Sequence, residues 1–111
     1  MDKIIIEHFS LRYSDGSESL RDIHFNIRSN AITVLFGPAG GGKSSLLRSI
    51  NRLNDLADVT EMSGRILLNG EDILATGVDP VELRRKVGIV FSRPITLPLT
   101  IYQNVSYPLE L

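Results

Sequence analysis

The chain has 111 residues, a formal net charge of −1 and no cysteine; 42% of its residues are hydrophobic and 23% are charged. That length holds one small domain and not two, at ordinary globular proportions. The balanced charge leaves no electrostatic reason to expect nucleic acid or an anionic membrane as a partner. The lack of thiols excludes a disulfide framework and cysteine catalysis. No apolar run approaches the roughly 20 residues of a membrane span or the form of a secretory leader, so any membrane role must come through a partner.

Residues 3–9 carry three consecutive isoleucines, Ile4 to Ile6, and this β-branched enrichment predicts a strand. Leu11-Arg12-Tyr13 extends it past a bend at Ser10. Ser14-Asp15-Gly16-Ser17 is a cluster of turn formers. Ile23-His24-Phe25-Asn26-Ile27 alternates apolar and polar residues, as a half-buried antiparallel strand does. His8 and His24 both fall in these strands. Without cysteine or a carboxylate at zinc-type spacing, they are expected to be ordinary strand residues and not metal ligands. By residue type alone, Tyr13 is an ordinary strand aromatic.

Arg28-Ser29-Asn30 then turns the chain into Ala31-Ile32-Thr33-Val34-Leu35-Phe36. This near-continuous apolar run predicts a buried parallel strand. It feeds Gly37-Pro38-Ala39-Gly40-Gly41-Gly42-Lys43-Ser44, which fits G-x-x-x-x-G-K-[ST], the Walker A phosphate loop. The pattern has a physical reason. Glycines let the backbone curl with its N–H groups inward, and those groups plus a helix N-terminus form a positive nest for a polyphosphate. Lys43 is a compact cation that reaches the β- and γ-phosphates, and Ser44 offers a hydroxyl to Mg²⁺. Leu46, Leu47, Ile50 and Leu53 follow at helical spacing, so residues 44–53 are expected to form an amphipathic helix.

Residues 57–63 are polar and aperiodic and read as a surface connection. Residues 64–70 read as a strand ending in Asn69-Gly70, a signature of a type I′ hairpin turn, with residues 71–74 as the return strand. Asp79-Pro80-Val81-Glu82 is a helix start, with Asp79 as N-cap and Pro80 at the first helical position. Arg84-Arg85-Lys86 is expected to be a solvated face near that helix's C-terminus. Val87-Gly88-Ile89-Val90-Phe91 predicts a further short strand, and residues 92–99 a proline-interrupted loop whose apolar side chains suit a docking surface. Thr100-Ile101-Tyr102-Gln103 carries the capping-box pattern, so a helix is expected from Ile101 until Pro108 disturbs it.

The order of these parts resembles the N-terminal half of an ABC-transporter ATP-binding domain, from Lys3 to Leu111. Tyr13 stands 24 residues before Gly37, where the family places an aromatic that stacks on adenine. Residues 64–73 resemble its G-x-[IV]-x-[LIF]-[DN]-G-x-[DE]-[IL] segment, and residues 81–91 the stretch that leads into its Q-loop. Asn51-Arg52-Leu53-Asn54-Asp55, Asp79 to Arg85 and Ile101-Tyr102-Gln103-Asn104-Val105 are similar to the phosphate-importer branch. The resemblance implies a P-loop NTPase (ABC ATPase) α/β core, partial, with an N-terminal antiparallel β-subdomain. It implies ATP held by Tyr13 and by Gly37, Pro38, Ala39, Gly40, Gly41, Gly42, Lys43, Ser44 and Ser45, with Mg²⁺ on Ser44. It also implies transmembrane permease subunits docked through residues 93–107, between Arg93 and Tyr107, a second ATP-binding subunit, and a peripheral place on the cytoplasmic face of the membrane.

The chain departs from the pattern in three ways. Ser92 stands where the family has the Q-loop glutamine, and being shorter it does not inherit that residue's reach to Mg²⁺ and water. Ala39 and Gly41 replace the family's usual residues but still permit the nest. No apolar strand ends in Asp-Glu, and neither a signature motif nor a late switch histidine is present. Phosphoryl transfer needs those groups together. The expectation is therefore residues 1–111 as a partial ATP-binding domain that binds ATP and does not turn it over alone. Two alternatives stay open: a non-catalytic nucleotide-binding module, and half of a head domain of a chromosome- or repair-type ABC ATPase.

Overall fold

A computed structural model describes residues 1–38, 40–94 and 96–110. Ala39, named above for the phosphate loop, and Ile95 and Leu111 lie outside the described residues. The strands β1 (Asp2–Tyr13), β2 (Glu18–Arg28), β3 (Val59–Leu68) and β4 (Glu71–Asp72) form one antiparallel sheet in the order β2-β1-β3-β4. The helices are α1 (Lys43–Ile50), α2 (Pro80–Lys86) and α3 (Ile101–Ser106), with 3₁₀ turns at Leu53–Leu56 and Tyr107–Glu110.

Two matched bulges shape the sheet. In β1 the inward side chains run Ile4, Ile6 and then Phe9, Leu11, Tyr13, so the alternation slips by one residue at His8. His8 takes up the slip in the left-handed region, at φ 49°. Across the ladder, β2 slips between Leu20 and Ile23, and Asp22 sits at φ 47°. The bulges keep both strands' apolar faces on the core, where plain alternation would turn half of them outward. Gly64 of β3 approaches this point so closely that a Cβ on it would lie 2.2 Å from the His8 carbonyl oxygen.

The core combines Ile6, Phe9, Leu11, Leu20 and Ile66 of the sheet with Leu46 and Ile50 of α1, Ile73 after β4 and Leu83 of α2. The spacing of Leu46 and Ile50 puts both on the face of α1 turned toward the sheet. The expected caps are present. Val81 N–H donates to Asp79 Oδ1 at 3.0 Å, and Thr100 and Gln103 form both bonds of the capping box. Asn69 (φ 51°) and Gly70 (φ 83°) supply the two positive φ angles of a type I′ hairpin.

Several elements differ from the sequence expectation. Residues 31–36 and 87–91 form no strand. Ile32, Val34 and Phe36 are 94%, 73% and 89% exposed, and Val90 is 97% exposed. An apolar run becomes a strand only when a neighbour takes up its N–H and C=O groups, and no described strand lies beside either segment. Conversely, residues 59–63 are not a surface connection. They pair with β1, Leu11 opposite Met62 and Tyr13 opposite Val59, and so make up the first half of β3. The return strand stops at Asp72 because Ile73 and Leu74 turn into the core. The loop helix ends at Ile50, and Leu53 starts a 3₁₀ turn instead.

Arg84 is not on a solvated face. Its guanidinium donates to the carbonyls of Asn51 at 3.2 Å and Arg52 at 2.9 Å, just past the C-terminus of α1. A cation there complements the dipole of α1, not that of its own helix. Arg85 pairs with Glu82 at the surface.

Candidate functional site

The glycine loop reaches α1 through Gly42, which is the N-cap residue at φ 88° and makes no side-chain cap. The first i→i−4 bond of the helix runs from Leu46 N–H to the Gly42 carbonyl, at 2.9 Å. The N–H groups of Lys43, Ser44 and Ser45 precede it and have no partner within the helix. These three residues line a cleft of about 590 Å³ together with Ser19, Gly37, Gly40 and Gly42. A helix N-terminus without a side-chain cap, a lysine and a glycine-lined wall are the parts from which an anion site is built. Gly40, at φ 80°, has open space where a Cβ would stand.

Lys43 is turned into its own loop, with Nζ donating to the carbonyls of Gly37 at 2.7 Å and Pro38 at 2.6 Å. These two carbonyls hold the ammonium within the loop.

The loop is braced against the antiparallel sheet by Ser45. This residue is buried, and its Oγ meets Tyr13 Oη at 2.8 Å and accepts from Ser19 Oγ at 2.7 Å. Arg48 donates to the same Tyr13 oxygen at 3.3 Å. Tyr13 therefore reaches the cleft wall through Ser45 and does not itself line it. The Ser45 carbonyl accepts from Ser49 Oγ at 2.8 Å and from Asn54 Nδ2 at 2.9 Å. Ser44 keeps an exposed hydroxyl at the cleft. On its other side it shares a second cleft of about 280 Å³ with Leu47, Arg48, Ile89, Val90, Phe91 and Ser92. Ser92, at the expected Q-loop position, thus lines the same cleft as the residue expected to meet Mg²⁺.

Just before Ser19, the Glu18 carboxylate is held below its usual range by its hydrogen bond to Arg21 and by Arg12. The Asp15 carboxyl is lowered likewise by accepting from Ser17.

Sequence reasoning missed two groups. Asn54 is 1% exposed and locks the end of α1; only its position in the Asn51–Asp55 run hinted at a role. His8 and His24 are not isolated strand residues. The matched bulges bring them together around Asp22, with Oδ1 at 3.0 Å from His8 Nδ1 and 3.1 Å from His24 Nε2. The two imidazole rings meet edge to face at 4.0 Å. The His8 bond, and then that of His24, holds the Asp22 carboxyl below its usual range. The signal was available in the sequence as the slip in apolar alternation at residue 8 and again at residue 22.

Sheet, glycine loop and helix define a partial P-loop nucleotide-binding fold of the α/β class. Comparison with known proteins narrows the class. Residues 20–108 match the family model described as ABC transporter, and the chain belongs to that family. It is 48% identical over 108 residues to phosphate import ATP-binding protein PstB 1 of Vibrio cholerae serotype O1, covering 97% of this chain and 39% of that protein. It is 46% identical over 106 residues to phosphate import ATP-binding protein PstB of Pseudoalteromonas translucida, covering 96% of this chain and 38% of that one. The chain therefore spans about two-fifths of the length of these curated relatives. Among solved structures it resembles CbiO1 of Clostridium perfringens, part of the ABC transporter complex CbiONQ, with a TM-score of 0.79 at 31% identity over 98% of this chain and 42% of that one. It also resembles a bacterial Atm1-family ABC exporter with ATP bound, with a TM-score of 0.79 at 29% identity over 96% of this chain and 18% of that one. No helix among the described residues is long and apolar enough to cross a membrane.

Proposed function

We propose that residues 1–111 are the ATP-holding part of an ABC importer's ATP-binding domain. The observation that carries this is the cleft at the start of α1, where uncapped N–H groups, Lys43 and the glycine wall converge. In this reading Gly37, Pro38, Gly40, Gly41 and Gly42 shape the nest, and the N–H groups of Lys43, Ser44 and Ser45 bind phosphate oxygens. Lys43 leaves the carbonyls of Gly37 and Pro38 to meet the β- and γ-phosphates. Ser44, the one residue here with a free-facing hydroxyl, holds Mg²⁺, an ion that prefers oxygen ligands and few protein contacts. When bound, that ion neutralises phosphate charge. Tyr13 gives its ring to adenine, while its hydroxyl stays on Ser45.

Titration of the chain with a fluorescent ATP analogue in the presence of Mg²⁺ tests the reading. Saturable binding is expected, and Lys43→Ala should weaken it by roughly a hundredfold, the worth of about 3 kcal/mol. Equal binding by wild type and Lys43→Ala overturns it. The same chain should hydrolyse ATP no faster than buffer, because no Asp-Glu pair stands at a strand end. Turnover that Lys43→Ala abolishes would contradict that.

For the transported solute, the finer proposal is phosphate. It rests on similarity to two proteins described as phosphate import ATP-binding proteins, and on the Asn51-Arg52-Leu53-Asn54-Asp55 run. The permease contact would use residues 93–107, where Leu97, Leu99, Ile101, Tyr102 and Val105 present exposed apolar side chains and α3 buries none. A second ATP-binding subunit and a peripheral position on the cytoplasmic face complete the assembly. The test is a chimera in which this chain replaces the matching residues of a phosphate-import relative. Rescue of growth on limiting phosphate is expected, lost with Lys43→Ala. A chimera that folds and binds ATP but never rescues growth would rule out phosphate.

A further inference from the structure

We infer that His8, Asp22 and His24, on the antiparallel sheet, form a binding site for a divalent transition-metal ion; Asp22 and His24 also line a cleft of about 400 Å³ with Gly37, Pro38, Gly42 and Lys43 of the phosphate loop. Asp22 Oδ1 stands 3.0 Å from His8 Nδ1 and 3.1 Å from His24 Nε2, and all three donor atoms lie within 4.8 Å of one another. Donors in a tetrahedron around an ion held at roughly 2.0–2.2 Å are spaced about 3.3–3.6 Å apart, so two of the three edges need to open by only a few tenths of an ångström. Closing the third needs only rotation of exposed side chains: His8, Asp22 and His24 are 76%, 64% and 46% exposed.

The backbone under the site is fixed. His8 and Asp22 both sit at positive φ, which costs a residue with a Cβ on the order of 1 kcal/mol each. Gly64 presses on the His8 carbonyl, and Asp22 N–H donates to Ser10 Oγ at 2.8 Å. The two bulges therefore present the three ligands from paired strands and not from a loose loop.

The donor set selects the ion. Two imidazoles and one carboxylate suit Zn²⁺, Co²⁺, Ni²⁺ or Cu²⁺, and not Mg²⁺, which prefers oxygen. Ligation needs lone pairs on His8 Nδ1 and His24 Nε2, so each ring keeps its proton on the opposite nitrogen. At His24 that proton displaces the weak 3.4 Å bond from the His8 N–H. Three protein ligands leave the remaining position to water, the arrangement of an accessible site and not a closed structural one.

The chain has two histidines in all, so their imidazole proton resonances report the site directly. In nucleotide-free protein, Zn²⁺ should shift both sets together and saturate at one ion per chain, while Mg²⁺ at the same concentration leaves them in place. Calorimetric titration should give the same stoichiometry, with His24→Gln and Asp22→Asn each weakening Zn²⁺ binding roughly tenfold or more. Co²⁺ should give a visible d–d band that His24→Gln removes. Far-UV circular dichroism checks that the variants fold, and His24→Gln should still bind the ATP analogue. Zn²⁺ that fails to saturate, that shifts only one histidine, or that binds folded His24→Gln and Asp22→Asn as it binds wild type overturns the site.

Discussion

Gly42 joins the phosphate loop to the antiparallel sheet, and replacing it with alanine separates two costs. The first is conformational: at φ +88° an L-residue is disfavoured by about 1 kcal/mol. The second is steric. The new Cβ would stand 2.5 Å from the Ser19 carbonyl oxygen and 2.8 Å from Leu20 Cδ2, where ordinary contact begins at 3.4 Å. The Ser19 oxygen belongs to the backbone of β2, so no side-chain rotation relieves a deficit of about 0.9 Å. Forcing loop and strand apart should cost a further 1–3 kcal/mol or so. It would also pull on the hydrogen bonds that join Ser45 to Ser19 and Tyr13. A total of about 2–4 kcal/mol is large against the roughly 5–15 kcal/mol that holds a typical domain together. Gly16→Ala is the control: the same φ of +88°, with nothing within 4 Å of its Cβ, so only the first cost applies, about 1 kcal/mol. Urea unfolding of wild type and both variants measures the difference. Equal losses for Gly42→Ala and Gly16→Ala would refute the close packing of the loop on β2.

Three further outcomes follow from the same geometry. Asn54→Ala removes donors to the Ser45 carbonyl and Ser49 Oγ and an acceptor for Arg48, and should cost about 2 kcal/mol in urea unfolding; a loss below about 0.5 kcal/mol would contradict the buried network. Tyr13→Phe keeps the ring and loses only the bonds to Ser45 and Arg48, so it should retain ATP binding, whereas Tyr13→Ala should weaken ATP more than inorganic triphosphate. Equal losses for both ligands in calorimetry would argue against adenine on this ring. The Glu18 carboxyl is lowered from 4.5 in the folded chain, so its contribution is present above that pH and is lost as pH falls through the folded value. The stability gap between wild type and Glu18→Gln should then be widest near neutral pH and close on acidification, and a gap that ignores pH would exclude the Arg21 and Arg12 contacts as its source.

Much of this was legible because it depends on neighbours in sequence. The phosphate loop, the caps at Asp79 and Thr100 and the Asn69-Gly70 turn are local motifs, and each needs only the next few residues to form. The alternation at Ile23, Phe25 and Ile27 likewise specified a half-buried antiparallel strand. The slips at His8 and Asp22 are equally written in the apolar pattern, and with them the bulges that gather His8, Asp22 and His24.

The sequence by itself determined the local pieces: a glycine nest with Lys43 and Ser44, an antiparallel opening and capped helices. Only the tertiary structure decided which extended segments became strands. Residues 59–63, polar and aperiodic, pair with β1 because its backbone groups are there to be met. Residues 31–36, far more apolar, stay unpaired because no described strand lies beside them. It also decided that Arg84 serves the end of α1, and that Tyr13 braces the loop through Ser45. The physical reason is the same in each case. Caps and turns satisfy their hydrogen bonds within a few residues, whereas a strand, a half-buried guanidinium or a phenol needs a partner that only the folded chain supplies.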